Sequence, residues 1–236
     1  MKPNPARVAA DYRFERKFFI SALSKPQVEQ LVRHHPAIFS EVYRPRNVNN
    51  IYFDTPDMGC YAENKEGEMF RVKVRIRWYG DLFGPVEKPV LELKIKRGLL
   101  GRKESFRLTP FHFDPGDSSF SLPALIADDD RADLAEVIRH ELGRLKPVLI
   151  NRYARRYYLS ADRRFRITID SQMAFFAGPA HGDARLRQVI DRDNTVLELK
   201  YNHENDVEAD RISGYFPFRL TRSSKYVRGI ESLDLC

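Results

Sequence analysis

Three stretches of this chain set ionisable side chains at every second position. In FRVKVRIRWY, Arg71, Lys73, Arg75 and Arg77 alternate with Val72, Val74, Ile76 and Trp78. VLELKIK sets Glu92, Lys94 and Lys96 against Leu91, Leu93 and Ile95, and VLELKY sets Glu198 and Lys200 against Leu197 and Leu199. Rows of guanidinium and ammonium groups are phosphate-binding chemistry: arginine offers bidentate forks to phosphate oxygens and lysine a point charge. The carboxylates Glu15, Glu92 and Glu198 have two roles open to them. They can pair with the surrounding cations, or hold Mg²⁺ or Mn²⁺, which binds through one or two carboxylates plus phosphate oxygens.

Such alternation requires strands, because successive side chains on a strand point to opposite faces. Charges two residues apart lie about 7 Å from each other, so each like pair repels by about 0.6 kcal/mol in water and about 2.4 kcal/mol at an effective dielectric near 20. A solvated row is cheap, whereas an enclosed one needs an anion. The pattern recurs in YRFERKFFI, where Glu15 and Lys17 share one parity, and in RFRITID, where Arg164 and Arg166 do. Further strands are expected at RNVNNIYFDT, at RKESFRL with Lys103 and Arg107 on its charged side, at VLINRYARRYYLS with Arg152 and Arg155 on opposite parities, and near 185–190. One antiparallel sheet would carry all of this, its apolar side covered by helices and its charged side either open or lining a closed barrel; eight strands close around a bore wide enough for one narrow ligand. Trp78 and Phe165 fall on the apolar parity and are expected in the core.

Helical periodicity is confined to a short segment capped by Ser24, to 122–145, and to the tail from Asp206. The run Asp128, Asp129, Asp130 reads as solvated helix charge, and His34 and His35 as partners of the last carbonyls of the first helix. Lys plus Arg number 40 against 33 Asp plus Glu, a net charge of +7 that suits an anionic partner. The sequence contains no run of about 18 apolar residues and its amino terminus lacks a signal-peptide core, so a cytoplasmic protein without membrane insertion is expected, with Cys60 and Cys236 as reduced thiols. The 236 residues suit a single domain.

The segments YRFERKFFI, NNIYFDTPDMGCYAEN, FRVKVRIRWYG, VLELKIKRGLLGRKESFRL, INRYARRYY, RFRITID, VLELKY and SSKYVRGIE resemble, in order, the VTC domain, the polyphosphate polymerase domain of the yeast vacuolar transporter chaperone complex, within the triphosphate tunnel metalloenzymes or CYTH-like group. The resemblance implies an α+β fold: an eight-stranded antiparallel β-barrel, or triphosphate tunnel, with helices packed outside. It implies ATP, triphosphate or polyphosphate as ligand and Mn²⁺ or Mg²⁺ as cofactor. By position it assigns Lys17, Arg75, Arg77, Lys94, Arg166, Lys200 and Glu198 to catalysis, and Arg71, Lys73, Lys96, Lys103, Arg152 and Lys225 to phosphate binding. Glu198 matches the metal-binding glutamate, with Glu15 and Glu92 as further candidates. Asn50 stands where the family often has serine. The first strand has one glutamate where hydrolytic relatives carry an alternating acidic motif, which favours a polymerase moving the γ-phosphate of ATP onto a growing chain. A hydrolase of tripolyphosphate or nucleoside triphosphates and a non-catalytic polyphosphate binder are the alternatives. Single-stranded nucleic acid is a weaker candidate ligand, because the aromatic residues lie on the apolar parity.

Overall fold

A computed structural model describes residues 13–97, 100–114, 116–117, 120–125, 142–181 and 187–236. The chain forms two compact units, each drawn from separated segments. The first takes Met1–Arg46, Tyr153–Met173 and Asp191–Ser223; the second takes Asn47–Arg152, Ala174–Ile190 and Ser224–Cys236.

The described strands are β1 (Arg13–Ile20), β2 (Ser40–Asp54), β3 (Phe70–Tyr79), β4 (Gly84–Val86), β5 (Val90–Arg97), β6 (Leu100–Arg107), β7 (Phe111–Phe113), β8 (Lys146–Leu159), β9 (Arg166–Ala177), β10 (Gln188–Asp191) and β11 (Thr195–Asn202). Helices α1 (Lys25–Arg33), α2 (Gly59–Glu66), α3 (Leu122–Leu125), α4 (Asp206–Gly214) and α5 (Lys225–Ser232) interleave with them. The sheet runs β1-β11-β9-β8-β2-β3-β5-β6, with β10 paired to β9 off that path, while β4 and β7 form a separate ribbon. The expected eight strands are therefore in line, but the expected barrel is not closed: β1 and β6 are the ends of the path among the described residues. The free side of β1 is occupied instead by its own unit's later segment. Thr221 N–H donates to Lys17 O at 2.8 Å, Phe19 N–H donates to Thr221 Oγ1 at 2.9 Å, and Phe18 bridges Leu220.

Each unit has its own apolar core. In the first, Phe18, Ile20, Phe165, Ile167, Ile169, Leu197 and Leu199 of the sheet pack with Val28 and Val32 of α1 and Ala209 and Ile212 of α4. In the second, Val74, Ile76 and Trp78 of β3 pack with Ile51, Phe53, Leu91, Leu93 and Ile150. Burying one such side chain contributes about 1.5–3 kcal/mol. This holds the alternation in register, since a one-residue slip would turn every core residue outward. Trp78 and Phe165 lie in these cores as the parity required.

Several local features differ from the expectation. Strand β2 begins at Ser40 rather than Arg46 and tolerates Pro45, because β3 pairs only from Val48 onward and leaves the first half of β2 without that neighbour. Residues 59–66, which lack apolar periodicity, form α2 because the buried Asp54 carboxylate accepts N–H bonds from Thr55, Cys60 and Tyr61, and Gly67 at φ 81° ends the helix. The loop after Gly80 contains β4. His35 does not cap its own helix: its Nε2 meets Ile212 O of α4 at 3.1 Å, and Ala37 N–H donates to its Nδ1. Of the expected 122–145 helix, α3 and helical residues at 142–144 are described; Asp128, Asp129 and Asp130 lie outside the described residues. No helix among the described residues is long and apolar enough to cross a membrane.

Candidate functional site

In the second unit the charged parity of β3, β5 and β6 falls into cross-strand rows. Lys73 lies opposite Lys94, and Lys94 opposite Lys103; in the neighbouring row Arg71 lies opposite Lys96. Like charges directly opposite each other destabilise a sheet. One row along, Arg75 lies opposite Glu92, and beyond it Arg77 opposite Val90, itself opposite Arg107.

Glu92 is the hub of this face. It is 5% exposed and takes Arg75 Nε and Nη2 at 2.8 and 2.6 Å, Lys103 Nζ at 3.0 Å and Arg77 Nη1 at 3.4 Å. Burial alone would raise its pKa, but the charges of Arg75, Arg77 and Lys103 outweigh burial and hold the carboxyl far below the usual carboxylate range. Both oxygens are thus engaged by cations, which favours the ion-pair role over metal ligation for this glutamate.

At the other side of β3, Arg77 Nε donates to Asn50 Oδ1 at 3.1 Å, and Asn50 Nδ2 donates to Asn151 Oδ1 at 2.8 Å. This relay fixes Arg77 through Asn50. Its last member, Asn151 Nδ2, is buried with no acceptor among the described residues. Lys73 donates to Ser224 Oγ at 2.8 Å, and Ser224 caps α5 by accepting from Val227 N–H. Lys73 and Lys225 therefore stand beside a helix N-terminus, where the dipole favours an anion over a cation. Helix α5 is seated tightly: a Cβ on Gly229 would come within 2.6 Å of Leu149 Cδ2 and 2.7 Å of Phe175 Cδ1. The Tyr226 hydroxyl donates to Asp54, tying α5 to the start of α2.

In the first unit the charged parity of β1, β11 and β9 carries a second cluster. Register sets Glu15 opposite Lys200 and Lys17 opposite Glu198, while Lys200 also faces Arg166. Lys17 Nζ lies 3.5 Å from Glu15 Oε1 and 3.7 Å from Glu198 Oε1, so one ammonium bridges two carboxylates. Glu198 also meets Lys200 Nζ at 3.0 Å and Arg155 Nη2 at 3.6 Å. Arg155 is held from behind by the fully buried Asp170, with Nε and Nη2 at 2.5 and 2.7 Å from its two oxygens, and lies over the Tyr153 ring at 5.2 Å. Burial opposes the charge of Arg155; Asp170, Tyr153 and Glu198 more than restore it.

Of the sequence-predicted residues, Arg71, Lys73, Arg75, Arg77, Glu92, Lys94, Lys96, Lys103 and Lys225 thus gather in the second unit, and Glu15, Lys17, Arg166, Glu198 and Lys200 in the first. Arg152 is the exception. It shares strand parity with Ile150 of the core and with Arg156, whose partners are Glu29 and Glu41. The arginine of β8 on the charged parity is Arg155, and Asp170, Asn50 and Asn151 are further polar residues that the alternation did not single out. The parity of Arg155 relative to Asn151 was readable; its tie to Asp170 was not, since it spans two strands.

The sequence model of the VTC domain matches residues 12–234. The chain belongs to the VTC domain family. This VTC domain shares its fold with a Bacillus halodurans structure described as a candidate adenylate cyclase, with a TM-score of 0.53 at 14% identity over 92% of this chain and 97% of that one. A Vibrio parahaemolyticus structure of the same description gives a TM-score of 0.50 at 12% identity over 92% of this chain and 98% of that one. No curated protein matches the sequence. The family inferred from the motifs is thereby established for the VTC domain, and at these identities the structural likeness speaks to fold alone.

Proposed function

We propose that this VTC domain is a metal-dependent polyphosphate polymerase, transferring the γ-phosphate of ATP to a growing phosphate chain. The observation that carries the reading is the register of β3, β5 and β6, which sets Lys73, Lys94 and Lys103 in one row and Arg71 and Lys96 in the next. Side chains so placed repel one another in the free protein, and a linear polyanion lying along the rows converts that repulsion into charge-assisted bonds. Lys225 and Lys73 at the start of α5 extend the same anion preference. Arg75 and Arg77 are held in fixed orientation by Glu92 and Asn50. Phosphoryl transfer needs positioning and charge neutralisation more than covalent help, which is what such residues provide.

No cluster of three or more His, Cys, Asp or Glu side chains suited to a metal is present among the described residues. The donor set does fit a hard divalent cation that takes part of its coordination from phosphate: Glu15 and Glu198 offer two carboxylates already bridged by one positive charge, Lys17 Nζ. Glu198, with Glu15 beside it, would hold Mn²⁺ or Mg²⁺, which when bound neutralises charge on the transferred phosphoryl group. Lys17 and Lys200 balance Glu198 and orient its two oxygens, and Arg155, fixed by Asp170, limits its motion.

The test is incubation of the purified protein with ATP and Mn²⁺ or Mg²⁺, following ADP, free phosphate and polyphosphate together, beside Glu198→Gln. Polyphosphate rising in step with ADP, and lost in the variant, supports the polymerase. Free phosphate without chain growth would replace it with a hydrolase, and binding without turnover would leave a polyphosphate-binding module.

A further inference from the structure

The first half of β2 is exposed along its whole length from Ser40 to Asn47, and it carries Tyr43, Arg44 and Arg46. Tyr43 is 56% exposed although it sits in a strand. Its ring meets Tyr157 of β8 edge to face, with centroids 5.6 Å apart and planes at 88°. The Arg46 guanidinium lies over both rings, 5.0 Å from the Tyr43 centroid and 5.7 Å from that of Tyr157. On β8, Arg155 lies 6.0 Å from the Tyr157 centroid, and Arg155 Nη2 is 3.6 Å from Glu198. A continuous path within the first unit thus leads from an exposed aromatic–guanidinium corner to the carboxylate assigned to the metal.

We propose that Tyr43, Arg46 and Tyr157 form a stacking platform for the base of a nucleoside triphosphate. This deepens the phosphotransferase reading and rests on it. A planar base gains from stacking on tyrosine rings and on an arginine plane, and every base offers such a face. An isolated exposed tyrosine would be unremarkable; Tyr43 instead meets a second ring at right angles, with an arginine shared between them, beside the charged cluster a triphosphate would reach. The path runs from Tyr43 and Arg46 of β2 through Tyr157 and Arg155 of β8 to Glu198 of β11. Because stacking reads ring faces and not hydrogen-bonding edges, the platform accepts purine nucleotides with little discrimination between ATP and GTP.

The experiment is equilibrium binding of ATP, GTP and tripolyphosphate to the whole chain and to Tyr43→Ala, Tyr43→Phe and Tyr157→Ala. Tyr43→Ala is expected to weaken ATP and GTP about tenfold, as the loss of one stacking partner implies, while tripolyphosphate, which has no base, binds as before. Tyr43→Phe is expected to restore nucleotide binding, because it keeps the ring. Loss of ATP and tripolyphosphate binding to the same extent in Tyr43→Ala, or no change in either, would overturn the platform and leave the polyphosphate reading intact. Failure of the unaltered chain to bind ATP while it binds tripolyphosphate would also overturn it, and failure to bind either would overturn both readings.

Discussion

The two glutamates at the heart of the two units are each ringed by cations but held differently. Glu92 draws Arg75, Arg77 and Lys103 onto its oxygens at 2.6–3.4 Å. Glu198 sits among Lys17, Lys200 and Arg155 at 3.0–3.7 Å, with Glu15 sharing Lys17. Each comes from the same five letters, LELK preceded by Val, and each is nearly buried. Their cross-strand partners separate them: Glu92 lies opposite an arginine that can fork onto it, whereas Glu198 lies opposite Lys17 and Thr168. Two guanidinium nitrogens of Arg75 converge on one oxygen of Glu92, whereas Glu198 meets the Lys200 ammonium at 3.0 Å, and the metal role proposed for Glu198 rests on that difference. A motif therefore acquires its role from the strand across from it.

The sharpest way to break this comparison is through the groups behind the glutamates. Asp170→Asn strips the buried Arg155 of its bidentate partner, and the loss of one member of a buried pair is expected to cost about 3–5 kcal/mol, measured by urea unfolding. A cost below about 1 kcal/mol would show that Arg155 is not held by Asp170.

Glu92→Gln leaves three cations around a neutral amide and is expected to destabilise by about 1–3 kcal/mol, with the metal concentration for half-maximal activity unchanged. The opposite pattern is expected of Glu198→Gln: a smaller stability loss and a shifted metal requirement. Equal metal effects in the two variants would erase the distinction drawn between them.

Lys94 stands between Lys73 and Lys103, so Lys94→Gln relieves like-charge repulsion. The free protein is expected to gain about 0.2–1 kcal/mol in thermal or denaturant unfolding while tripolyphosphate binding weakens. Loss of stability together with binding would mean that the row is held by other contacts.

The smallest expected effect is a pH dependence of the first unit. Burial among Phe39, Tyr215 and Phe216 lowers the His35 pKa below its ordinary 6.5. The unfolded chain then binds the proton first, so the contribution of neutral His35 is complete above about pH 6.5 and is lost as pH falls toward the lower folded value. Stability measured from pH 8 to 5 is expected to fall less steeply in His35→Asn than in the unaltered chain.

Much of this was legible in the sequence. The charged parity of β3, β5 and β11 and the core placement of Trp78 and Phe165 follow from period-two alternation, because one buried face fixes the other, while the count of eight strands is implied by the family resemblance. What alternation does not carry is pairing. That Lys73, Lys94 and Lys103 form one row, or that Glu92 faces Arg75, depends on register between strands. Helix α2 was hidden because its start is organised by Asp54, a residue of the preceding strand, and not by its own periodicity. Resemblance to the family assigns Arg152 and not Arg155; VLINRYARRYYLS carries arginines on both parities, so alternation alone does not tell which of them meets Glu198, a contact that the structure gives to Arg155.

The most direct test of the division of labour is titration of tripolyphosphate, with and without Mn²⁺, into three proteins: the unaltered chain, the Lys73→Gln/Lys94→Gln/Lys103→Gln variant and Glu198→Gln. The triple variant is expected to lose binding under both conditions, whereas Glu198→Gln keeps the metal-free affinity and loses only the gain conferred by Mn²⁺. Unchanged binding by the triple variant, or a full Mn²⁺ gain in Glu198→Gln, would contradict the account.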